Sequence, residues 1–343
     1  MPWTVGSAFE QFRRDVVDLD PKNTEKARAS RDYLFYQIKM LATNNSDCPK
    51  LESGSTFINF GSFARRTKIK PLDDIDFLVV FNGSNTVVEN TYSSHTYKLK
   101  FIKPTIYFVS TLPSLTLEQF TDSDDYVNST RLLNRIKDYL SSVKDYEKAE
   151  TLRKNLQAVT LKLRSYSWNY DIVPAIFNNS ASRPFFLIPD GKGNWIATNP
   201  RIDDFNTTRV NTIHGGKFLA VIRLLKYWNA TINRPSLKSS YYFETLAIKV
   251  FERLPKITDL PNAIKLFFDK CPDYLRQPCP DPKGLGPNLD AQLDWSQKEK
   301  VIKAMANASM YAGYALRYES SSQHKEAIEQ WQHIFGAKFP NYG

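Results

Sequence analysis

The sequence is poor in the residues that build metal centres and disulfide frameworks. It contains three cysteines and four histidines among 343 residues. The cysteines, Cys48, Cys271 and Cys279, lack the short pairwise spacing of zinc ligands, and the histidines are scattered. The pattern therefore argues against a zinc site and against a scaffold stapled by disulfides.

Long apolar runs are also missing. No run is long enough to span a bilayer, and the N-terminal residues Met1-Pro2-Trp3-Thr4 lack the charged and apolar regions of a signal peptide. We therefore expect a cytoplasmic protein that does not contact a membrane. The 42% of hydrophobic residues are typical of a globular chain with one large core or two modest lobes.

Positive charge exceeds negative charge. The 46 lysines and arginines against 36 aspartates and glutamates give a formal net charge of +10. These cations are spread along the chain, and the longest basic segment covers only residues 65–70. The charge predicts an anionic partner but does not distinguish a nucleotide from a nucleic acid.

The most informative motif is Gly61-Ser62 followed by Asp74-Ile75-Asp76 and an apolar run over residues 77–81. Residues two apart in a strand point to the same face, so Asp74 and Asp76 would present their carboxylates together. Carboxylate oxygens hold Mg²⁺, and two such ions about 4 Å apart clamp the attacking and leaving oxygens of a phosphoryl-type displacement. The alternative is a turn over Pro71-Leu72-Asp73-Asp74 that caps a buried strand.

Gly61 and Ser62 suit a phosphate. A glycine lets backbone N–H groups approach phosphate oxygens closely, and a serine adds a hydroxyl donor. A Gly-Ser pair alone is common by chance. Here it follows a predicted strand and precedes the basic segment 65–70, and the aspartates open the next strand. This combination resembles the nucleotidyltransferase fold of polymerase-beta-like enzymes.

Later in the chain, four more residues are candidates for the site. Asp171, at the end of a predicted strand, would complete a metal site and act as general base on an attacking ribose hydroxyl. Lys226 would reach phosphate oxygens from an amphipathic helix, and Ser240 would donate to a phosphate at a helix N-terminus. Tyr241 would stack on a base. The alternatives are a strand-terminal aspartate, a solvated lysine, an N-cap serine and a core tyrosine.

The hydrophobic pattern predicts a catalytic lobe over residues 1–198 and a helical C-terminal lobe with a short tail over residues 199–343. In the first lobe it predicts a long helix from Pro21 to Thr43, strands at 56–60, 76–81, within 97–110 and at 158–163, and a helix at 129–155. A loop-rich passage at 174–193 marks the boundary. In the second lobe it predicts helices at 218–228, 242–254, 263–268, 297–318 and 323–334, with a proline-rich loop or lid at 271–289.

Over most of its length the chain resembles the bacterial cGAS/DncV-like nucleotidyltransferases (CD-NTases), enzymes of an anti-phage signalling system based on cyclic oligonucleotides. The resemblance rests on motifs that occur in this order: Gly61-Ser62, Asp74-Ile75-Asp76, Asp171-Ile172-Val173-Pro174-Ala175, Ile188-Pro189-Asp190, Trp195 with Thr198-Asn199-Pro200, Arg223-Leu224-Leu225-Lys226, Ser240-Tyr241 and the closing segment Trp331 to Pro340.

The resemblance implies an α+β fold, bilobal and polymerase-beta-like, with a mixed-sheet catalytic lobe, a helical C-terminal lobe and the active site in the cleft between them. It implies that the enzyme joins ATP, with GTP or other nucleoside triphosphates as further candidates, into a cyclic di- or trinucleotide and releases pyrophosphate. Two Mg²⁺ ions, or Mn²⁺ as a substitute, would be held by Asp74, Asp76 and Asp171. The triphosphate would contact Gly61, Ser62, Lys226 and Ser240, and the base would stack on Tyr241.

The resemblance also bears on partners. It implies a regulatory protein, either an E1/E2-like conjugating enzyme acting on Gly343 or a peptide-binding HORMA-like protein. The zinc-binding insertion of the animal cyclic GMP-AMP synthase cannot be built from this sequence, so direct activation by double-stranded DNA is not expected. Two other functions stay open. One is an RNA- or protein-modifying nucleotidyltransferase that uses the same aspartates, and the other is a non-catalytic nucleotide or RNA sensor.

Overall fold

The computed structural model describes residues 2–45, 48–91, 95–103, 117–179, 184–233 and 236–343. Its contacts divide the chain into two compact units. We call the first the sheet unit, which consists of Lys22–Ala64 and Leu72–Ile202. The second, the helical unit, consists of Met1–Pro21, Arg65–Pro71 and Asp203–Gly343.

The sheet unit is built around a mixed sheet with nine strands among the described residues. The strands are β1 (Phe57–Phe60), β2 (Asp74–Phe81), β3 (Thr86–Thr91), β4 (Thr96–Phe101), β5 (Thr151–Asn155), β6 (Ala158–Lys162), β7 (Asn169–Asn178), β8 (Phe185–Pro189) and β9 (Trp195–Thr198). They follow the order β1-β2-β7-β8-β9-β4-β3, and β6 pairs with β5 and β7. The pairing of β2 with β7 is parallel.

Both faces of β2 are covered over its apolar run. On one face, Phe77 lies against Phe35 of the long helix, with ring centroids 4.7 Å apart, and Phe35 stacks on Phe57 of β1 at 4.1 Å. On the other face, Leu78 and Val80 are buried in a cluster with residues of β6, β7 and β8. An apolar run without alternation is the pattern expected of a strand that is buried on both faces.

Ten α-helices lie among the described residues. They are α1 (Val5–Phe12), α2 (Pro21–Asn44), α3 (Gly61–Ala64), α4 (Ser129–Ser141), α5 (Pro200–Ile213), α6 (Phe218–Tyr227), α7 (Ser240–Phe251), α8 (Leu260–Leu275), α9 (Trp295–Ser320) and α10 (His324–Phe335). The predicted long helix is confirmed as α2. The helices predicted at 218–228, 242–254, 297–318 and 323–334 are confirmed as α6, α7, α9 and α10, and α5 was not predicted.

The helical unit is discontinuous in sequence because aromatic residues of α1 pack against the end of the chain. The ring of Phe9 lies 4.9 Å from that of Trp331 and 5.1 Å from that of Phe339. Phe12 lies 5.3 Å from Phe335. In this respect the unit differs from the predicted division at residues 198 and 199, since a local pattern does not show which distant segments share a core.

Three local predictions were wrong. The helix predicted at 129–155 ends at Ser141, and strand β5 follows it from Thr151. The passage at 174–193 is not mainly loop, because it contains the end of β7 and all of β8. Helix α8 continues through Pro272 to Leu275, so the irregular segment begins later than residue 271. The first part of the strand predicted within 97–110 is present as β4, which ends at Phe101. Residues 104–110 lie outside the described residues.

None of the helices in the described part of the chain is long and apolar enough to cross a membrane.

The aromatic cluster predicts that the C-terminal segment stabilises the helical unit. Phe339 is 1% exposed and contacts Phe9, Phe12 and Phe335. We expect Phe339→Ala to lower the free energy of unfolding by about 3–5 kcal/mol, because it removes a buried ring and leaves a cavity. Thermal or denaturant unfolding measures this change. Tyr342→Ala, at a ring that is 37% exposed, is the control, and an equal loss in both variants would contradict the prediction.

Candidate active site

The parallel register of β2 and β7 brings the predicted carboxylates onto one face of the sheet. Asp76 is the register partner of Asp171, and Asp74 is the partner of Asn169. Residues paired across neighbouring strands share a face, and Asp74 and Asp76 are two apart, so all three aspartates point to the same side. Neighbouring strands lie about 4.8 Å apart. The three side chains are half-buried.

Gly61 lies directly against Asp76. It has a φ of +73°, a region that L side chains rarely adopt, and a Cβ at this position would lie 1.9 Å from Oδ2 of Asp76. Gly61 follows β1, whose last residue, Phe60, is the register partner of Asp76. Ser62 is the second residue of the short helix α3 that begins at Gly61. Glycine is therefore required here for two reasons: the backbone has a positive φ, and a side chain would collide with the Asp76 carboxylate.

Asp171 is held by a neighbour that the sequence analysis missed. The Thr160 hydroxyl on β6 donates to Oδ1 of Asp171 at 2.7 Å, and Thr160 is its register partner. Asp171 is the third residue of β7, so its predicted place at the end of a strand was wrong. The alternation of the predicted strand at 158–163 was visible in the sequence, but its pairing with β7 was not.

The donor atoms on this face suit a hard divalent cation, because Mg²⁺ prefers carboxylate oxygens. Among the described residues, no group of three or more histidine, cysteine, aspartate and glutamate side chains is arranged as a ready-made metal centre. The fit to a metal therefore depends on the shared face and the oxygen chemistry of Asp74, Asp76 and Asp171.

In the helical unit, Lys226 and Ser240 meet at a buried carboxylate. Lys226 is 8% exposed, and its Nζ donates to Oε1 of Glu244 at 2.7 Å, so it is not a solvated charge. Ser240 is the first residue of α7, and its hydroxyl donates to the same oxygen at 3.2 Å. The N-cap of α7 is Ser239, whose side chain accepts the Tyr242 N–H.

Tyr241 is oriented by charged groups. Its hydroxyl donates to Oδ1 of Asp203 at 2.6 Å and accepts from Nζ of Lys283 at 2.7 Å. Nζ of Lys283 also lies 4.1 Å from the ring centroid, and the guanidinium of Arg65 lies 5.7 Å from it. Burial, together with the charge of Asp203, raises the pKa of Tyr241, so the phenol remains protonated. Tyr241 is half-buried with a fixed hydroxyl.

The structure adds four charged residues around these positions: Arg65, Asp203, Glu244 and Lys283. Two had a signal in the sequence. Arg65 opens the basic segment, and Glu244 is four residues after Ser240, one helical turn away. Asp203 and Lys283 had none, because their contacts with Tyr241 join positions that are far apart in the chain. A cavity of about 330 Å³ in this unit is lined by Arg65, Asp203, Tyr241 and Glu244 among others.

Gly343 lies against the N-terminal segment of the same unit. Its N–H donates to the Pro2 carbonyl at 3.2 Å, and the ring of Tyr342 lies 5.2 Å from that of Trp3. The expectation that Gly343 is a conjugation site stays a prediction.

Curated proteins with similar sequences are named as cyclic nucleotide synthases. No protein-family model matches the chain. A protein of Bacillus cereus (strain VD146) named "Probable cyclic nucleotide synthase" is 37% identical over 341 residues, which cover 99% of this chain and 98% of the relative. A protein of Acinetobacter sp. (strain ATCC 27244 / 9458) named cyclic AMP-AMP-AMP synthase is 23% identical over 84% of this chain and 82% of the relative.

The fold is also found in solved structures. CdnC of E. coli MS115-1 with ATP has a TM-score of 0.71 at 18% identity, and the match covers 98% of this chain and 99% of CdnC. CdnC in complex with HORMA-deltaN has a TM-score of 0.69 at 17% identity, with 98% of each chain covered. These similarities show that the chain has the same fold.

The close approach of Gly61 to Asp76 predicts that a single methyl group disables the site. We expect Gly61→Ala to lower catalytic activity by about 100-fold or more, because the added Cβ must displace the Asp76 carboxylate. The measurement is the initial rate of cyclic nucleotide synthesis, and circular dichroism checks that the variant is folded. Gly54→Ala, where a Cβ has nothing within 4 Å, is the matched control. Full activity of folded Gly61→Ala would refute the assignment.

Proposed function

We propose a specific reaction for this chain, which belongs to the bacterial cGAS/DncV-like nucleotidyltransferase (CD-NTase) family of cyclic oligonucleotide synthases. The proposed substrate is ATP, with GTP as a candidate second substrate, and the proposed product is a cyclic di- or trinucleotide. The observation that carries the proposal is the register of Asp76 with Asp171, which puts three carboxylates on one face.

Asp74, Asp76 and Asp171 would hold divalent cations, with Mg²⁺ as the proposed ion. When bound, such ions neutralise charge on the phosphates and orient the attacking and leaving oxygens. Asp171 has a second proposed role as general base, which accepts the proton of the attacking ribose hydroxyl. The Thr160 hydroxyl supports that role because it fixes Oδ1 of Asp171 and with it the plane of the carboxylate.

The remaining candidates would bind the nucleotide. Gly61 lacks a side chain and Ser62 follows it at the start of α3, so this turn suits close contact with phosphate oxygens. Lys226 would add a positive charge and Ser240 a hydroxyl at the N-terminus of α7, where backbone N–H groups favour anions. Tyr241, whose hydroxyl is fixed by Asp203, would offer its ring to a base.

Two of the similar proteins support ATP as substrate. One relative is named for a product with three adenosine monophosphate units, and CdnC has been solved with ATP. The complex of CdnC with HORMA-deltaN supports a HORMA-like partner for this chain as well. By family membership, the proposed biological role is anti-phage signalling.

Product analysis tests the reaction. Incubation with Mg²⁺ and labelled nucleoside triphosphates, followed by phosphatase treatment and mass spectrometry, is expected to give a small phosphatase-resistant product from ATP. A cyclic product has no terminal phosphate for the phosphatase to remove. A heat-inactivated sample is the control. Label that appears only on added RNA or protein would instead support an RNA- or protein-modifying nucleotidyltransferase.

Neutralising the carboxylates tests their roles. We expect Asp171→Asn to lower the rate by about 10²–10⁴-fold, because an amide accepts no proton from the ribose hydroxyl. Asp76→Asn should also weaken the stabilisation of the protein by Mg²⁺, measured as a thermal shift without nucleotide. Asp73→Asn, which neutralises an exposed carboxylate just before β2, is the matched control. Unchanged rates in Asp76→Asn and Asp171→Asn would favour a non-catalytic sensor.

A further inference from the structure

The structure assigns a positioning role to Glu244, a residue without a role in the proposed reaction. We propose that its buried carboxylate holds Lys226 and Ser240 in the arrangement in which they contact the phosphates of the nucleotide. The inference rests on the proposed phosphate-binding roles of those two residues. It extends them to a residue that touches no substrate itself.

Glu244 receives a separate pair of donors at each oxygen. Oε1 accepts from Nζ of Lys226 at 2.7 Å and from the Ser240 hydroxyl at 3.2 Å. Oε2 accepts from Nε of Arg65 at 3.1 Å and from the Thr67 hydroxyl at 2.9 Å. An ionised carboxylate has about four acceptor positions, so these contacts use its full capacity. We call these five residues the Glu244 cluster.

The cluster is removed from water except at one edge. Glu244 is 3% exposed, Thr67 1% and Lys226 8%, whereas Ser240 is exposed. Such burial disfavours charge, and a buried carboxylate persists only when it is paired and hydrogen-bonded. Three segments of the chain contribute: residues 65–71, α6 and α7. All three segments donate hydrogen bonds to this carboxylate.

The pKa directions agree with this geometry. Burial opposes ionisation of Glu244, but the charges of Arg65 and Lys226 outweigh it and hold the pKa of Glu244 below its usual value. Burial lowers the pKa of Lys226, and the Glu244 carboxylate opposes that decrease, while the charges of Arg65 and Lys68 reinforce it. Without Glu244, the buried ammonium would lose this anion while the charges of Arg65 and Lys68 remained, and the neutral amine would gain population.

The net charge of the Glu244 cluster also favours a phosphate. Arg65 and Lys226 carry two positive charges against one negative charge on Glu244, so the cluster keeps a net charge of one positive unit. Glu244 therefore fixes the cations in place without cancelling their attraction for an anion. Arg65 also lies against the ring of Tyr241, but the Tyr241 hydroxyl is held by Asp203 and Lys283, so the proposed base contact is fixed by groups other than Glu244.

The test is to measure direct binding of adenosine, AMP and a non-hydrolysable ATP analogue to the whole protein. We expect Glu244→Gln to weaken binding of the ATP analogue by about tenfold or more, the equivalent of one charge-assisted hydrogen bond to phosphate. Adenosine binding should change by less than about twofold, because adenosine has no phosphate to be positioned. In turnover, KM for ATP should rise more than kcat falls.

Two further variants keep the test decisive. Glu299→Gln removes the same charge at an exposed position of α9 in the same unit and should leave the affinity for each nucleotide unchanged. If Glu244→Gln does not fold, Thr67→Val retains every charge and removes one hydroxyl donor to Oε2. It should weaken binding of the ATP analogue by about two- to threefold, and adenosine binding less.

A double-variant cycle separates positioning from structural support. If Glu244 acts in part through Lys226, the losses caused by Glu244→Gln and Lys226→Met should not multiply, and the variant carrying both should bind the ATP analogue more tightly than the product of the two losses predicts. Multiplying losses, or an equal loss for adenosine and the ATP analogue, would overturn the inference. Binding is measured in the absence of turnover, so it does not depend on product formation. If the protein shows this phosphate-dependent loss of affinity but makes no cyclic product, the result supports the role of Glu244 and contradicts the proposed function.

Discussion

The parallel pairing of β2 with β7 is the constraint on which the candidate active site depends. These strands lie in the interior of the sheet, each paired on both sides, and β7 also pairs with β6 and β8. A shift of one residue in the register would turn one set of side chains to the opposite face. The fully apolar stretch of β2 resists such a shift because both of its faces are buried. The aspartates occupy the one end of the strand where side chains are not fully buried.

The helical unit uses a different principle, in which buried charges rather than strand register set the geometry. Removing one partner from a buried ion pair typically costs about 3–5 kcal/mol, because the other charge is left without compensation. Glu244, Arg65 and Lys226 are therefore coupled, and none can move far without affecting the others. Tyr241 is constrained in the same way by Asp203 and Lys283. A site built from such contacts is preorganised, so less ordering is required when a ligand binds.

The errors of prediction have a common physical origin. The predicted helix over 129–155 was wrong in its second half because β5 gains its hydrogen bonds from β6, and a local pattern does not show that partner. The strand β8 begins directly after Pro184 and ends at Pro189, although prolines in a sequence predict a loop. Prolines are tolerated where their missing N–H is not needed by a neighbouring strand, and only the sheet topology shows where that is.

The sequence by itself determined the chemistry: two aspartates on one side of a strand, a Gly-Ser turn before them, and a third aspartate in a later strand. These depend on local periodicity and on residue types, which a linear sequence displays. Only the tertiary structure decided that Asp76 lies beside Asp171, that a Cβ at Gly61 would strike Asp76, and that Lys226 and Ser240 share the carboxylate of Glu244. Those relations join residues that are distant in sequence, and they exist only because burial and hydrogen bonding of the whole chain bring them together.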